Sequence, residues 1–527
     1  MIKKTCLWIF VSLVGVLVIF GGCSQISYKE MTIREFTNVE RLPQIDPDYH
    51  QIVIPPNIAP LNFMIQESGS HFYVKISSVN GQPIHISSKN GKIIIPLKEW
   101  QNLLGFNQGE QLNFEFFVAD QNGQWQRFKT ITNQIAREPI DGYLAYRLLH
   151  PAYNLWKKMG IYQRNLQNFE QKPILINRIT SENCMNCHSF CNNNPNVMIL
   201  HLRGGPGSGM LLNHNGEVFK VNTSTEFNRA GAYPAWHPGG ELLALSVNKL
   251  SMFFHSVGES RDVLDHASDL ILYQINSNTV TTCPAIASEE RMETFPNWSP
   301  DGQYLYFCSA PKLATYISTD SSFSDLLYDQ IKYDLMRIRY DHENHLWGEL
   351  ETVLSSAETG KSITMPRVSP DARYLLFCMA DYGNFPIYLQ SSDLYLLDLK
   401  TGEYQLLNVN SAQAETFHSW SSNSRWFVFS SKRRDALTAR PYFSYVDENG
   451  KVSKPFLLPQ SDPEFYSEFL MTYNVPELVK GPVSIPPQQL IASILEPKNY
   501  RKAQLDPNVQ ARPSSKAPET EWRPAPQ

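Results

Sequence analysis

Four stretches decide the fold: Tyr233-Pro234-Ala235-Trp236-His237-Pro238-Gly239-Gly240, Phe295-Pro296-Asn297-Trp298-Ser299-Pro300-Asp301-Gly302, Met365-Pro366-Arg367-Val368-Ser369-Pro370-Asp371-Ala372 and Phe417-His418-Ser419-Trp420-Ser421-Ser422-Asn423-Ser424. They are copies of one pattern. A Pro-Asp-Gly type of turn closes a hairpin, because proline presets its first φ and glycine accepts a positive one. An apolar strand follows each copy: Leu242 to Ser246, Tyr304 to Cys308, Tyr374 to Cys378 and Trp426 to Ser430. Three units start a further strand at Asp269-Leu270, Asp334-Leu335 and Asp393-Leu394. Spacings of 62, 70 and 52 residues between Trp236, Trp298, Val368 and Trp420 suit four-stranded propeller blades with variable loops better than a helical solenoid. Outward from the repeats, Met198 to Asn222 supplies three more strands, and Phe469 to Val475 is expected to add the fourth and close the ring. That count favours five blades, with six possible.

Upstream, residues 45–138 alternate in short bursts such as His71-Phe72-Tyr73-Val74-Lys75-Ile76 and Leu112-Asn113-Phe114-Glu115-Phe116-Phe117-Val118, separated by Asn80-Gly81, Asn90-Gly91 and Asn122-Gly123. The pattern predicts a β-sandwich resembling the fibronectin or immunoglobulin class. Between Asp141 and Phe169, Tyr143, Tyr146, Leu149, Tyr153, Trp156 and Met159 recur at helical spacings, so a short helical connector over 139–195 is expected, bent at Pro151. The overall expectation is a mainly β chain with the propeller over 196–485. A Pro-, Ser-, Lys- and Gln-rich stretch over 498–527 reads as a disordered tail.

The connector ends in Cys184-Met185-Asn186-Cys187-His188, the spacing that attaches c-type haem. Two thiols form thioethers with the porphyrin vinyl groups and the adjacent imidazole ligates iron. Cys184 and Cys187 are therefore candidate attachment points and His188 the candidate iron ligand. His201 is a candidate for the opposite face, with Met210 and His255 as alternatives. Arg147, Arg164 or Arg178 could pair propionates, and Tyr143, Tyr146, Trp156 and Tyr162 could shield the ring. Zinc held by Cys184, Cys187, His188 and Cys191 remains open, as does a disulfide in an oxidising compartment. Cys308 and Cys378, each after a phenylalanine in different units, read as buried thiols. Gly204-Gly205-Pro206-Gly207-Ser208-Gly209 lacks the Lys and Ser/Thr of a phosphate loop and reads as a hairpin loop. With no Gly-x-Ser-x-Gly elbow, hydrolysis has no support.

The repeats resemble the TolB-like β-propeller family, over ~290 residues. The resemblance extends to envelope lipoproteins that join such a propeller to a Cys-x-x-Cys-His segment, often labelled cytochrome c related. Ile161-Tyr162-Gln163-Arg164, Asn183 to Phe190, Asp381-Tyr382-Gly383-Asn384-Phe385 and Arg440-Pro441-Tyr442 carry that match. It implies an envelope protein with haem c used in electron transfer or redox sensing, or a haem-free periplasmic scaffold binding protein or cell-wall partners at the propeller surface.

The N-terminus agrees with that address. Residues 1–22 have the layout of a secretory signal, with Lys3-Lys4 before an apolar run from Leu7 to Phe20. Phe20-Gly21-Gly22-Cys23-Ser24 resembles a lipobox, which implies lipidation of Cys23 and, with Ser24 following, an outer-membrane anchor facing the periplasm. The net charge of −5 supplies no basic field for a nucleic-acid backbone, so no nucleic-acid partner is expected.

Overall fold

The computed structural model describes residues 26–150, 158–180, 182–204, 207–254, 261–312, 328–496 and 499–509. The expected signal, Cys23, Pro151, Tyr153, Trp156, His255 and the tail beyond residue 509 lie outside the described residues, as does the side chain of Cys187. The chain is mainly β, built from many separate sheets. No helix among the described residues is long and apolar enough to cross a membrane.

The N-terminal part holds an eight-stranded sheet centred on His71–Ser77 and Gln111–Ala119, and a three-stranded sheet of Ile45–Asp46, Phe63–Ile65 and Lys92–Ile93. Alternation along the two central strands buries Phe72, Val74 and Ile76 against Phe114, Phe116 and Val118. The helix Leu97–Gly105 closes this core with Trp100, whose indole N–H donates to the Ile58 carbonyl at 2.9 Å.

Six further sheets follow, each an antiparallel four-stranded meander in its main part. Sheet one takes Thr472–Val479 as its first strand and continues with Tyr143–Leu149, Gly160–Asn165 and Gln171–Ile176. Sheets two to six begin with Cys184–Phe190, Ala232–Trp236, Arg291–Trp298, Ser362–Val368 and Glu415–Trp420. Successive first strands touch from sheet two to sheet six, the sixth touches Thr472–Val479, and Thr472–Val479 touches Cys184–Phe190. The aligned Trp236, Trp298, Val368 and Trp420 each end a first strand. Trp236 and Trp420 donate to the carbonyls of Ser189 and Arg367 on the preceding sheet, at 3.3 and 3.0 Å.

Three expectations change. Among the described residues the helical connector is replaced by strands: Tyr143–Leu149 is buried on both faces, so its large residues follow no two-residue alternation and mimic a helical stripe. The late segment does not complete the sheet containing Met198. Thr472–Val479 pairs with Tyr143–Leu149, and Cys184–Phe190 pairs with Val197–Arg203 to complete that sheet instead. Part of the expected tail is ordered: Tyr500–Lys502 and Gln504–Leu505 add parallel edge strands to sheets two and three.

Each first strand carries an interruption at the same place. Pairing with the second strand skips Val475-Pro476, Cys187-His188, Tyr233-Pro234, Phe295-Pro296, Met365-Pro366 and Phe417-His418. Five of the leading residues, Val475, Tyr233, Phe295, Met365 and Phe417, have φ between 47° and 54°. Non-glycine residues adopt this region only when the surroundings impose it, so the repeated bulge is a feature of the architecture. It brings Tyr233, Phe295, Met365 and Phe417 into one apolar cluster with Cys308 and Tyr333.

Candidate functional site

The Cys-His segment is part of this bulge system. Cys184 lies opposite Arg203 and Asn186 opposite His201, and Cys187-His188 fills the interruption. His188 is buried, and the carbonyls of Ala145 and Val475 in sheet one lie beside its ring, although neither ring nitrogen makes a well-formed hydrogen bond. Burial, reinforced by the Arg147 guanidinium, pushes the imidazole down to about 3. Cys184 sits in the apolar layer with Met159, Met185 and Leu202, between sheets one and two, where Arg203 Nη2 approaches its sulfur at 3.8 Å.

His201 belongs to the other side of the sheet. It shares a face of its strand with Ile199 and Val197, which pack with Met210, Leu243 and Leu245 in the core shared with sheet three. The two histidines address different neighbouring sheets and do not flank one position. This arrangement does not fit an iron held between His188 and His201, and Met210 shares the His201 face. Cys191 is also apart from Cys184: its thiol donates to the His237 carbonyl at 3.6 Å, and burial pushes it up to about 11. Both cysteines are free thiols, and among the described residues no group of three His, Cys, Asp or Glu is placed to hold a metal ion.

The flanking arginines serve the framework. Arg147 reaches the Met185 carbonyl at 3.1 Å, the side-chain oxygen of Asn186, and Asn474 Oδ1 at 2.6 Å, stitching sheets one and two together. Arg164 donates to the Pro459 carbonyl at 2.9 Å. Tyr146 and Tyr162 stack on each other with ring centres 6.4 Å apart. Cys308 and Cys378 are buried free thiols, as expected from their place after phenylalanine.

A second constellation lies where the long hairpin Leu242–Phe254 and Arg261–Gln274 meets the loops at 328–333 and 382–389. Asp262, Asp265, Tyr328, Tyr382, Asn384 and Phe385 are among the residues lining a narrow cleft there, with about 10 Å³ free inside it. Asp265 is 2% exposed and Asn384 1%. Asp265 Oδ2 accepts from Asn248 Nδ2 at 2.6 Å, and Asn248 is itself held by Ser246. The Tyr382 hydroxyl donates to Asp262 at 3.0 Å. Burial pushes the Asp265 carboxyl up to about 7. The segment Asp381 to Phe385 is one of those that carry the resemblance; Asp262 and Asp265 belong to no motif and are gathered only by the hairpin.

No protein-family model and no curated protein matches the chain. Solved structures similar to it include a nidogen/laminin complex (9% identity, 64% of this chain and 99% of that chain covered, TM-score 0.37). An apocarotenoid oxygenase of Synechocystis matches at 12% identity, covering 81% of this chain and 95% of that one, with a TM-score of 0.36. An oligogalacturonate lyase of Vibrio parahaemolyticus matches at 14% identity, covering 65% and 100%, with a TM-score of 0.31. At these scores the likenesses carry no argument about fold or activity.

Proposed function

We propose that the chain is a cell-envelope lipoprotein, anchored through Cys23 to the outer membrane and facing the periplasm. In this reading an N-terminal β-sandwich is joined to a six-bladed TolB-like propeller that acts as a haem-free scaffold for an envelope partner. The observation that carries the reading is the cyclic succession of first strands, closed by Thr472–Val479 against both Glu415–Trp420 and Cys184–Phe190. A ring of sheets offers a rigid, grooved surface at each mouth, and it leaves the Cys-His segment a structural task in one blade. The redox reading draws on the Cys184, Cys187 and His188 spacing; burial of Cys184 and His188 between sheets speaks against it. Co-expression with a c-type maturation system, followed by a pyridine haemochrome spectrum and a haem-stained denaturing gel, tests the choice. A colourless protein is expected, and covalent haem on Cys184 and Cys187 would overturn the scaffold reading.

A further inference from the structure

The cleft beside the long hairpin contains two buried oxygens without a donor. Neither Asp265 Oδ1 nor Asn384 Oδ1 accepts a well-formed hydrogen bond, although Ser268 and the Ala267 N–H lie beside the Asp265 carboxyl, both residues are nine-tenths buried or more and both line the cleft. The two side chains meet where Asn384 Nδ2 reaches Asp265 Oδ2 at 3.4 Å; acceptors left poorly paired in a low-dielectric place are costly, and a bound group that supplies positive charge removes the cost. A third oxygen source, the Asp262 carboxylate, lines the same cleft and is oriented by Tyr382.

The free space selects the kind of ligand. About 10 Å³ accommodates a body of roughly one water molecule's size, which suits a small ion. The donors facing it are carboxylate and amide oxygens, which suit hard cations. Mg²⁺ keeps several waters in a strict octahedron and needs more room, whereas Ca²⁺ tolerates irregular sets of carboxylate and carbonyl oxygens.

We propose that this cleft is a Ca²⁺ site, with Asp265 Oδ1, Asn384 Oδ1 and the Asp262 carboxylate as its side-chain ligands, and with water and backbone carbonyls supplying the rest of the roughly six to eight oxygens that Ca²⁺ takes. The proposal deepens the scaffold reading, on which it rests for the cleft's place at one mouth of the ring. The ion ties the hairpin to the loops at 328–333 and 382–389, and so orders that mouth. Asn248 acts as a positioning residue through Asp265 Oδ2.

Calorimetric titration of the purified protein, stripped with EDTA, with CaCl₂ and separately with MgCl₂ tests it. The expected result is one saturable Ca²⁺ site, with Mg²⁺ weaker by about tenfold or more. Asp265→Asn and Asp262→Asn should each weaken Ca²⁺ by about tenfold or more, on the scale of losing a group that supports a metal site, with circular dichroism in EDTA unchanged. The second variant carries the test should the first fail to fold. No Ca²⁺ heat from the wild-type protein, equal Mg²⁺ affinity, or undiminished Ca²⁺ affinity in the folded variants would overturn the site. Because the titration contains no partner and reads no haem, its failure leaves the scaffold reading standing, and covalent haem on a protein that still binds Ca²⁺ would remove only that reading.

Discussion

His188 and His418 occupy one register position in two different sheets. Each is the second residue of the bulge in a first strand, and each ring lies beside two carbonyls of the sheet before it: Ala145 and Val475 for His188, Leu376 and Met365 for His418. His418 makes the contact well, with Nε2 at 3.1 Å from the Leu376 oxygen and Nδ1 at 3.8 Å from the Cys378 sulfur. The other four sheets place proline at this position: Pro234, Pro296, Pro366 and Pro476.

His188→Pro should therefore fold. The position lies outside the regular ladder, so proline there removes no ladder hydrogen bond. Thermal unfolding should place the variant within about 1–2 °C of the wild-type midpoint, a change of about 1 kcal/mol for a chain of this size. Loss of folded protein would show that His188 has a role its repeat equivalents lack.

Both histidines are held neutral down to about 3 by burial, first of all, against an ordinary value of 6.5. Between those values the unfolded chain takes up protons that the folded one refuses, so stability present above pH 6.5 is lost as pH falls toward 3. Urea midpoints measured from pH 7 to pH 4 should fall more steeply for the wild type than for His188→Pro, which lacks one such group. Parallel slopes would contradict the assignment.

Glu477 works in the opposite direction. Half-buried, and accepting the Phe190 N–H at 2.9 Å, its carboxyl is pushed up to about 8 from an ordinary 4.5 by desolvation, with the Phe190 N–H and the Arg367 charge opposing. The folded state keeps a proton that the unfolded chain has released, so this group costs stability progressively as pH rises from about 4.5 to 8. Glu477→Gln cannot ionise and can still accept from Phe190. Its melting temperature relative to wild type should rise between pH 5 and pH 8.5, and a flat difference would argue against a buried carboxyl there.

Trp298 is 5% exposed and packs beside His237, ring centres 5.0 Å apart, and beside Tyr340 at 5.6 Å. Trp298→Ala should cost ~3–5 kcal/mol in chemical denaturation, as a large truncation between two sheets. A cost below about 1 kcal/mol, the ordinary effect of a point substitution, would mean that the repeat tryptophans do not hold neighbouring sheets together.

Deleting residues 498–527 should lower the melting temperature and raise aggregation on heating. It strips the parallel partners from Glu217–Asn222 and Thr279–Thr281 and so exposes two sheet edges. Light scattering during the melt provides the readout, and identical curves would show that these edge strands contribute nothing.

The sequence by itself determined what is local. The Pro-Asp-Gly turns, the tryptophans before them and the apolar strands after them specify hairpins through φ preference and short-range alternation, and Trp236, Trp298, Val368 and Trp420 end equivalent strands as the repeats required. The N-terminal bursts around His71–Ser77 and Gln111–Ala119 were legible for the same reason. Tertiary structure decided the rest. Tyr143–Leu149 is a strand because its partner, Thr472–Val479, arrives from more than 300 residues away to pair along its edge while two separate cores cover its two faces, information that no window around Tyr143 contains. The Cys-His spacing suggested ligands, but spacing along a chain does not say which face a side chain takes; the bulge turns His188 to one neighbouring sheet while the pleat turns His201 to the other. Asp262, Asp265 and Asn384 have no common motif, since they come from a hairpin and a loop about 120 residues apart that meet only in the folded molecule.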